Sequence, residues 1–296
     1  MAPRMLVTGA AGMVGGYVSE TFADTELILT DRAGQTRALD VRDAQAVRAA
    51  LEAARPEVVL HLAAATDVDR CEQEPEWAHQ VNVEGTRHVA AACKAQGSIL
   101  VYLSTGAVFS GAKSAPYIEE DEPAPVNVYG RTKWAAERVI TSSLERYYII
   151  RAGWMLGGGP RDKKFVGRIL RLLTDGRCSL PVVNDTWGSP TYAKDLLNGI
   201  RRVLETRRYG LYHLVNPGCC SRYDVALAVQ EALSRCEVQL TPVSSAAFAL
   251  PAPRPRMEAL QNARLERMGL SLMRPWRDAL REYLRAEMLI DSGTRA

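Results

Sequence analysis

The sequence predicts a doubly wound α/β fold, a parallel sheet with helices on both faces, plus a smaller α/β lobe built mainly by the second half. Three observations carry this. Short apolar runs alternate with longer helical patterns through the first half of the chain, a glycine-rich turn follows the first run, and the alternation loosens after about residue 155. At 296 residues the chain suits one large α/β unit or a main domain with a companion, and is long for one small domain.

The strands come first. Met5-Leu6-Val7, Leu27-Ile28-Leu29, Val58-Val59-Leu60 and Ile99-Leu100-Val101-Tyr102-Leu103 are continuous apolar runs, the pattern of strands buried on both faces, and Tyr147-Tyr148-Ile149-Ile150 adds another. Between them the spacing predicts helices over Met13 to Phe22, Ala44 to Ala54, Ala78 to Ala95 and Val128 to Ser142. Right-handed crossovers then make the sheet parallel. Further on, Gly157-Gly158-Gly159-Pro160 is a turn-rich break before an amphipathic helix from Phe165 to Leu173. The Pro-punctuated stretch Leu250 to Pro255 precedes two short terminal helices, and the polar tail after Ile290 is expected to fray. The expected division is residues 1–155 as the first domain, with 192–214 returning to it, and 156–191 plus 215–296 as the second lobe.

Composition narrows the function. Apolar residues make up 47% and charged residues 24%, an ordinary globular balance. The net charge of +3 comes from Lys and Arg scattered among acids, which gives nucleic-acid binding little support. Cysteines at 71, 93, 178, 219, 220 and 236 form no C-x-x-C pair, and four scattered histidines offer no ligand spacing, so free thiols and no metal site are expected. No basic and apolar leader precedes the first strand, and no apolar stretch approaches the roughly 20 residues that span a bilayer. A cytoplasmic protein is expected.

The turn Thr8-Gly9-Ala10-Ala11-Gly12-Met13-Val14-Gly15 lies between the first strand and the first helix. Glycines there let backbone N–H groups approach a pyrophosphate at the positive end of a helix, so Gly9, Gly12, Met13, Val14 and Gly15 are candidate dinucleotide contacts. This is the pattern of a Rossmann-type domain. Asp31 ends the second strand, about twenty residues beyond the first glycine, where an acid accepts from the adenosine ribose hydroxyls. Such a carboxylate favours NAD(H). Its neighbour Arg32 would pair with the extra phosphate of NADP(H), so the preference stays open. Asp40 and Val41 close a third short strand and face the adenine, unless Asp40 caps the following helix. The small residues Leu62-Ala63-Ala64 after the fourth strand let the backbone lie close to the cofactor, while His61 reads as a packed strand-end histidine.

Tyr129 and Lys133 stand at i and i+4 on one helix face. A nearby ammonium lowers a phenol pKa from its usual value near 10, which makes Tyr129 a candidate general acid with Lys133 as its partner. Ser104 and Thr105 end the Ile99–Leu103 strand, at the carboxyl edge where open α/β sheets bind ligands, and can hydrogen-bond a substrate carbonyl.

These motifs, with His61-Leu-Ala-Ala-Ala-Thr-Asp-Val-Asp-Arg-Cys-Glu72, Tyr102-Leu-Ser-Thr-Gly-Ala-Val-Phe-Ser-Gly111, Pro116-Tyr-Ile-Glu-Glu-Asp-Glu-Pro123, Val128-Tyr-Gly-Arg-Thr-Lys133, Asn184-Asp-Thr-Trp-Gly-Ser-Pro-Thr191, Gly210-Leu-Tyr-His213 and Arg254-Pro255, run over nearly the whole chain. On them the sequence resembles the extended short-chain dehydrogenase/reductase superfamily, and within it the dTDP-4-dehydrorhamnose reductase branch. The resemblance implies hydride transfer from NAD(P)H to C4 of a dTDP-4-keto-6-deoxyhexose, and a homodimer. It implies that Tyr129 protonates the nascent alkoxide, that Lys133 holds the nicotinamide ribose, and that Thr105, with Ser104 behind it, binds the keto oxygen. Thr66 and Val68 match positions lining the site, and Trp154 matches an aromatic packed against the sugar. Arg254 is a candidate for the nucleotide diphosphate, because a guanidinium binds phosphate bidentately. Lys163, Lys164 and Arg168 fall near the expected pocket mouth.

One departure stands out. Gly106-Ala107 replaces the Asp-Tyr usual after the Ser-Thr pair, which removes a polar group and a ring from the pocket wall. A sugar-nucleotide 4-epimerase shares the same constellation and tolerates this change, but the Gly188–Thr191 and Arg254-Pro255 segments match the reductases. A 4,6-dehydratase needs an acid and a base that Gly106-Ala107 cannot supply. A non-catalytic dinucleotide-binding subunit, like the regulatory subunit of methionine adenosyltransferase, is the remaining alternative.

Overall fold

The computed structural model describes residues 3–34, 36–233 and 237–288. Its centre is a seven-stranded parallel sheet in the spatial order Gly210–His213, Tyr147–Ala152, Ile99–Thr105, Val58–His61, Arg4–Thr8, Glu26–Asp31, Arg37–Ala38. Strand alternation fixes what each face buries. Met5 and Val7 point with Leu60 and Val101 toward one helical layer, where Val18, Leu196 and Ile200 close the core. Leu6, Val59 and Leu100 point to the other, against Val47, Leu51, Val89 and Ala136. Each face is therefore dry, which is why these strands are continuous apolar runs rather than alternating ones.

The winding order of the sheet reverses at Arg4–Thr8, which pairs in parallel with Glu26–Asp31 on one side and Val58–His61 on the other. A crevice opens outside the carboxyl ends at such a switch point. The last sheet strand comes from late in the chain: Gly210–His213 pairs in parallel with Tyr148–Arg151, and the helix Ala193–Glu205 contributes Leu196, Leu197, Ile200 and Val203 to the core beneath the sheet. A second cluster lies apart, where Val166 and Ile169 of the helix Phe165–Thr174 meet Val225 and Val229 of the helix Arg222–Leu233, with Trp276 and Tyr283.

Three elements differ from the sequence expectation. The first helix is regular only over Val18–Thr21, after a 3₁₀ turn at Gly15–Tyr17, because the glycine turn extends through Val14 and adjacent glycines propagate helix poorly. The long helix expected over Ala78 to Ala95 is divided into Pro75–His79, a π-helical segment Gln80–Glu84, and Gly85–Gln96. The third strand ends at Ala38, short of Asp40 and Val41, since Asp40 turns back to accept from the Arg42 backbone N–H at 3.0 Å and its guanidinium at 2.6 Å. The tail after Ile290 lies outside the described residues, as does Cys236. Among the described residues no helix is long and apolar enough to cross a membrane.

The C-terminal turn is fastened to the start of the fold. The Tyr17 hydroxyl donates to Glu287 Oε2 at 2.6 Å and accepts from the Gly158 N–H at 2.6 Å, while the Tyr192 hydroxyl donates to the other Glu287 oxygen.

Candidate active site

A cavity of about 560 Å³ lies across the carboxyl ends of the central strands. Its floor on one side is the glycine turn. Gly9 has φ +74°, and a Cβ there would sit 2.5 Å from the Ala63 nitrogen, so only glycine lets the turn lie against the Leu62-Ala63 backbone. Gly12 and Gly15 complete the turn. The N–H groups of Met13 and Val14 have no acceptor among the described residues, and both residues line the cavity at the start of a helix. Two orphan donors at a helix N-terminus suit a pyrophosphate, the group a dinucleotide would present there. Asp31 braces the turn, accepting from Ala11 N at 3.0 Å and Ala33 N at 3.2 Å. Arg32, Asp40, Val41, Leu62, Ala63 and Ala64 also line this end, joined by Arg42, which the sequence reasoning missed.

His61 does not line the cavity. It is buried between Thr8 Oγ1 at 2.7 Å and Thr86 Oγ1 at 3.1 Å, and burial lowers its pKa to about 3, so it stays neutral. The π-helical segment turns Asn82 inward. There Asn82 accepts from the Ala65 N–H at 2.8 Å and donates to Thr132 Oγ1 at 3.0 Å, tying the Ala63–Ala65 backbone to the helix Val128–Ser143.

That helix is capped by Asn127, whose side chain accepts from the Gly130 N–H at 2.8 Å and donates to the Pro253 carbonyl at 2.9 Å. Gly130 lies so close to the Ala107 carbonyl that no side chain fits, which seats the first helical turn directly on the end of the Ile99–Thr105 strand. Tyr129, Lys133 and Glu137 then follow at i, i+4 and i+8 along one face. The Thr105 hydroxyl accepts from Ala107 N at 3.2 Å and lies against the Tyr129 phenol. Ser104, expected behind Thr105, itself lines the cavity while donating to Glu137 Oε1 at 2.5 Å, and Glu137 forms a buried ion pair with Arg151 at 2.7 Å.

Burial dominates the electrostatics. It pushes the Tyr129 phenol up to about 12, and the Thr105 hydroxyl opposes this. It pulls Lys133 down to about 7, against the opposing attraction of Glu137. The expected lowering of the phenol by Lys133 is not found: the Thr105 hydroxyl, not Lys133, is the group that opposes burial. Lys133 Nζ instead donates to the Leu103 carbonyl at 2.8 Å and lies 4.0 Å from the Tyr102 ring centre.

The opposite wall is assembled from both halves. Thr66 and Val68 come from the first, and Trp154, Arg222, Arg254 and Glu258 follow later in the chain. The Trp154 indole N–H donates to Glu258 Oε2 at 2.6 Å, and the Arg222 guanidinium carbon lies 3.5 Å from the centre of its ring. Arg254 pairs with Asp69 at 2.9 Å and donates to the Ala252 carbonyl at 2.8 Å. Gly106 is a packing position. A Cβ there would lie 2.8 Å from the Glu258 carbonyl oxygen, so the segment bearing Glu258 occupies the space vacated by the missing side chain. The i+8 spacing could have revealed Glu137. Nothing local in sequence marked Arg222 or Glu258.

Comparison with known proteins agrees with this architecture. The family model described as "RmlD substrate binding domain" matches residues 3–289. A dTDP-4-dehydrorhamnose reductase of Streptomyces griseus is 39% identical over 293 residues, covering 95% of this chain and 92% of that protein. One of Mycolicibacterium smegmatis is 37% identical, covering 97% of this chain and 86% of that protein. The crystal structure of the Bacillus anthracis dTDP-4-dehydrorhamnose reductase in complex with NADP superposes with a TM-score of 0.90 at 32% identity, over 97% of this chain and 100% of that one. With the fold, the glycine turn and the Tyr129–Lys133 helix in these positions, the chain belongs to the RmlD substrate binding domain family of the extended short-chain dehydrogenase/reductase superfamily.

Proposed function

We propose that this protein reduces the C4 keto group of a dTDP-linked 4-keto-6-deoxysugar, with NAD(P)H as the reductant. The observation that carries the reading is that Tyr129 and Lys133 line the cavity between two differently built ends, with the Thr105 hydroxyl against the Tyr129 phenol. One end offers free backbone donors and the other a ring with charged side chains. The Met13 and Val14 N–H groups would hold a dinucleotide, which when bound would supply the hydride. Thr105 positions the keto oxygen beside the Tyr129 phenol. A phenol pKa of about 12 keeps Tyr129 protonated at neutral pH, able to give its proton to the more basic alkoxide that hydride addition creates. Hydride and proton together complete the alcohol. Lys133 anchors the ribose side and carries positive charge near the phenol, and Trp154 walls the sugar. Recognition of a dTDP-sugar, pairing of two copies and a cytoplasmic setting belong to the same proposal.

The test is loss of reduced-nicotinamide absorbance with dTDP-4-keto-6-deoxy sugar, comparing wild type with Tyr129→Phe. A fall of about 10²–10⁴-fold in turnover is expected, with dinucleotide affinity unchanged. A wild type that binds dinucleotide but reduces no keto sugar nucleotide would overturn the reading.

A further inference from the structure

Of the three cations on the opposite wall, one is committed elsewhere. Arg254 is held by Asp69 and the Ala252 carbonyl. Lys164 is exposed at the mouth. Arg222 is different. It is the first residue of the helix Arg222–Leu233, half-buried, with its guanidinium carbon 3.5 Å from the Trp154 ring centre and 4.8 Å from that of Phe165. Stacking on rings covers the faces of a guanidinium and leaves its N–H edge seeking acceptors. Among the described residues that edge has neither a hydrogen bond nor an ion pair. Glu258, whose charge attracts Arg222, has one oxygen taken by the Trp154 indole N–H and makes no direct ion pair with the guanidinium. Burial lowers the Arg222 pKa to about 10, so the group is cationic at neutral pH. Glu258 attracts Arg222 through space, but a half-buried guanidinium with no directly bonded anion still gains from a ligand that supplies one.

We infer that Arg222, stacked on Trp154, is the anchor for the diphosphate of the nucleotide sugar. This rests on the proposed function for the identity of the ligand. The glycine turn supplies its own donors to a pyrophosphate through Met13 and Val14, so the anchor on the opposite wall serves a second phosphate group, that of the substrate. It also divides labour along Trp154: the indole edge is fixed by Glu258, near Tyr129, and the ring carries the phosphate-binding group.

Calorimetric titration of wild-type and Arg222→Met protein with dTDP tests this, with thymidine and NADPH as control ligands. Methionine keeps an apolar chain between the rings while removing charge and donors. The expected result is a loss of about 10- to 100-fold in dTDP affinity, with thymidine and NADPH binding unchanged. Arg222→Lys, which keeps charge without the two-point fork, should lose less and serves if the methionine variant does not fold. Unchanged dTDP affinity overturns the anchor, as does equal weakening of thymidine, which would mean a packing role, or selective weakening of NADPH. Failure of the wild type to bind dTDP also overturns it. Binding of dTDP through Arg222 by a protein that reduces no keto sugar would instead sink the reductase reading and leave the anchor standing.

Discussion

The two ends of the cavity are built from different materials. At the glycine turn the contact surface is main chain: Met13 and Val14 N–H groups, and a Leu62-Ala63 backbone that Gly9 alone allows to approach. At the other end it is side chains carried by separate elements, Trp154 on a short strand, Arg222 on a helix and Glu258 in a loop-like segment. Main chain presents the same groups whatever the residue, so the first end is set by geometry and fails when an atom is added. The second end changes with each substitution and fails when an atom or a charge is removed. A scaffold of this kind can keep one reductant while its substrate wall is rewritten.

That contrast can be broken by measurement. The largest effect is expected from the strip that joins the two ends. Glu137→Gln leaves Arg151 as a buried charge without a counterion and should cost roughly 3–5 kcal/mol in urea denaturation. Gly9→Ala should follow, since the left-handed φ and the clash with Ala63 together cost about 2–4 kcal/mol, read as weakened NADPH binding in a fluorescence titration. If Gly9→Ala binds NADPH normally, the main-chain account of that end is wrong. A smaller effect is expected in the pH profile. Lys133, at about 7, loses its proton as pH rises, so kcat/KM should fall on the alkaline side from about neutrality. Glu137 holds that limb up, and a folded Glu137→Gln enzyme should show it moved toward acid pH. The smallest effect is expected from Arg32→Ala. It should weaken NADPH by roughly 5- to 10-fold while sparing NADH, the size of one exposed charge-assisted contact. Equal affinity changes for both would assign Arg32 a general electrostatic role.

What could be read from the sequence follows the same division. The sheet was legible because strands buried on both faces must be continuous apolar runs, and Met5-Leu6-Val7 or Val58-Val59-Leu60 can be little else once helices flank them. The Tyr129–Lys133 stripe was legible because helical spacing is local. The π-helical segment at Gln80–Glu84 was not, since it is stabilised by Asn82 bonding to Ala65 and Thr132, residues that no periodicity links to it. Asp40 was misplaced on a strand because its partner Arg42 sits only two residues on, and a local carboxylate–guanidinium contact overrode the extended pattern. Arg222 and Glu258 carried no signal at all: each becomes part of the wall only through Trp154, distant from both in the chain.

The knot of Tyr17, Gly158, Tyr192 and Glu287 bears on how this molecule could be dissected. A fragment ending near residue 155 would keep the glycine turn but lose the edge strand Gly210–His213, the helix Ala193–Glu205 beneath the sheet, and the acceptor for the Tyr17 hydroxyl. The cofactor-facing half is therefore not a detachable cassette. Grafting its loop onto another scaffold would require carrying along residues from the far end of the polypeptide.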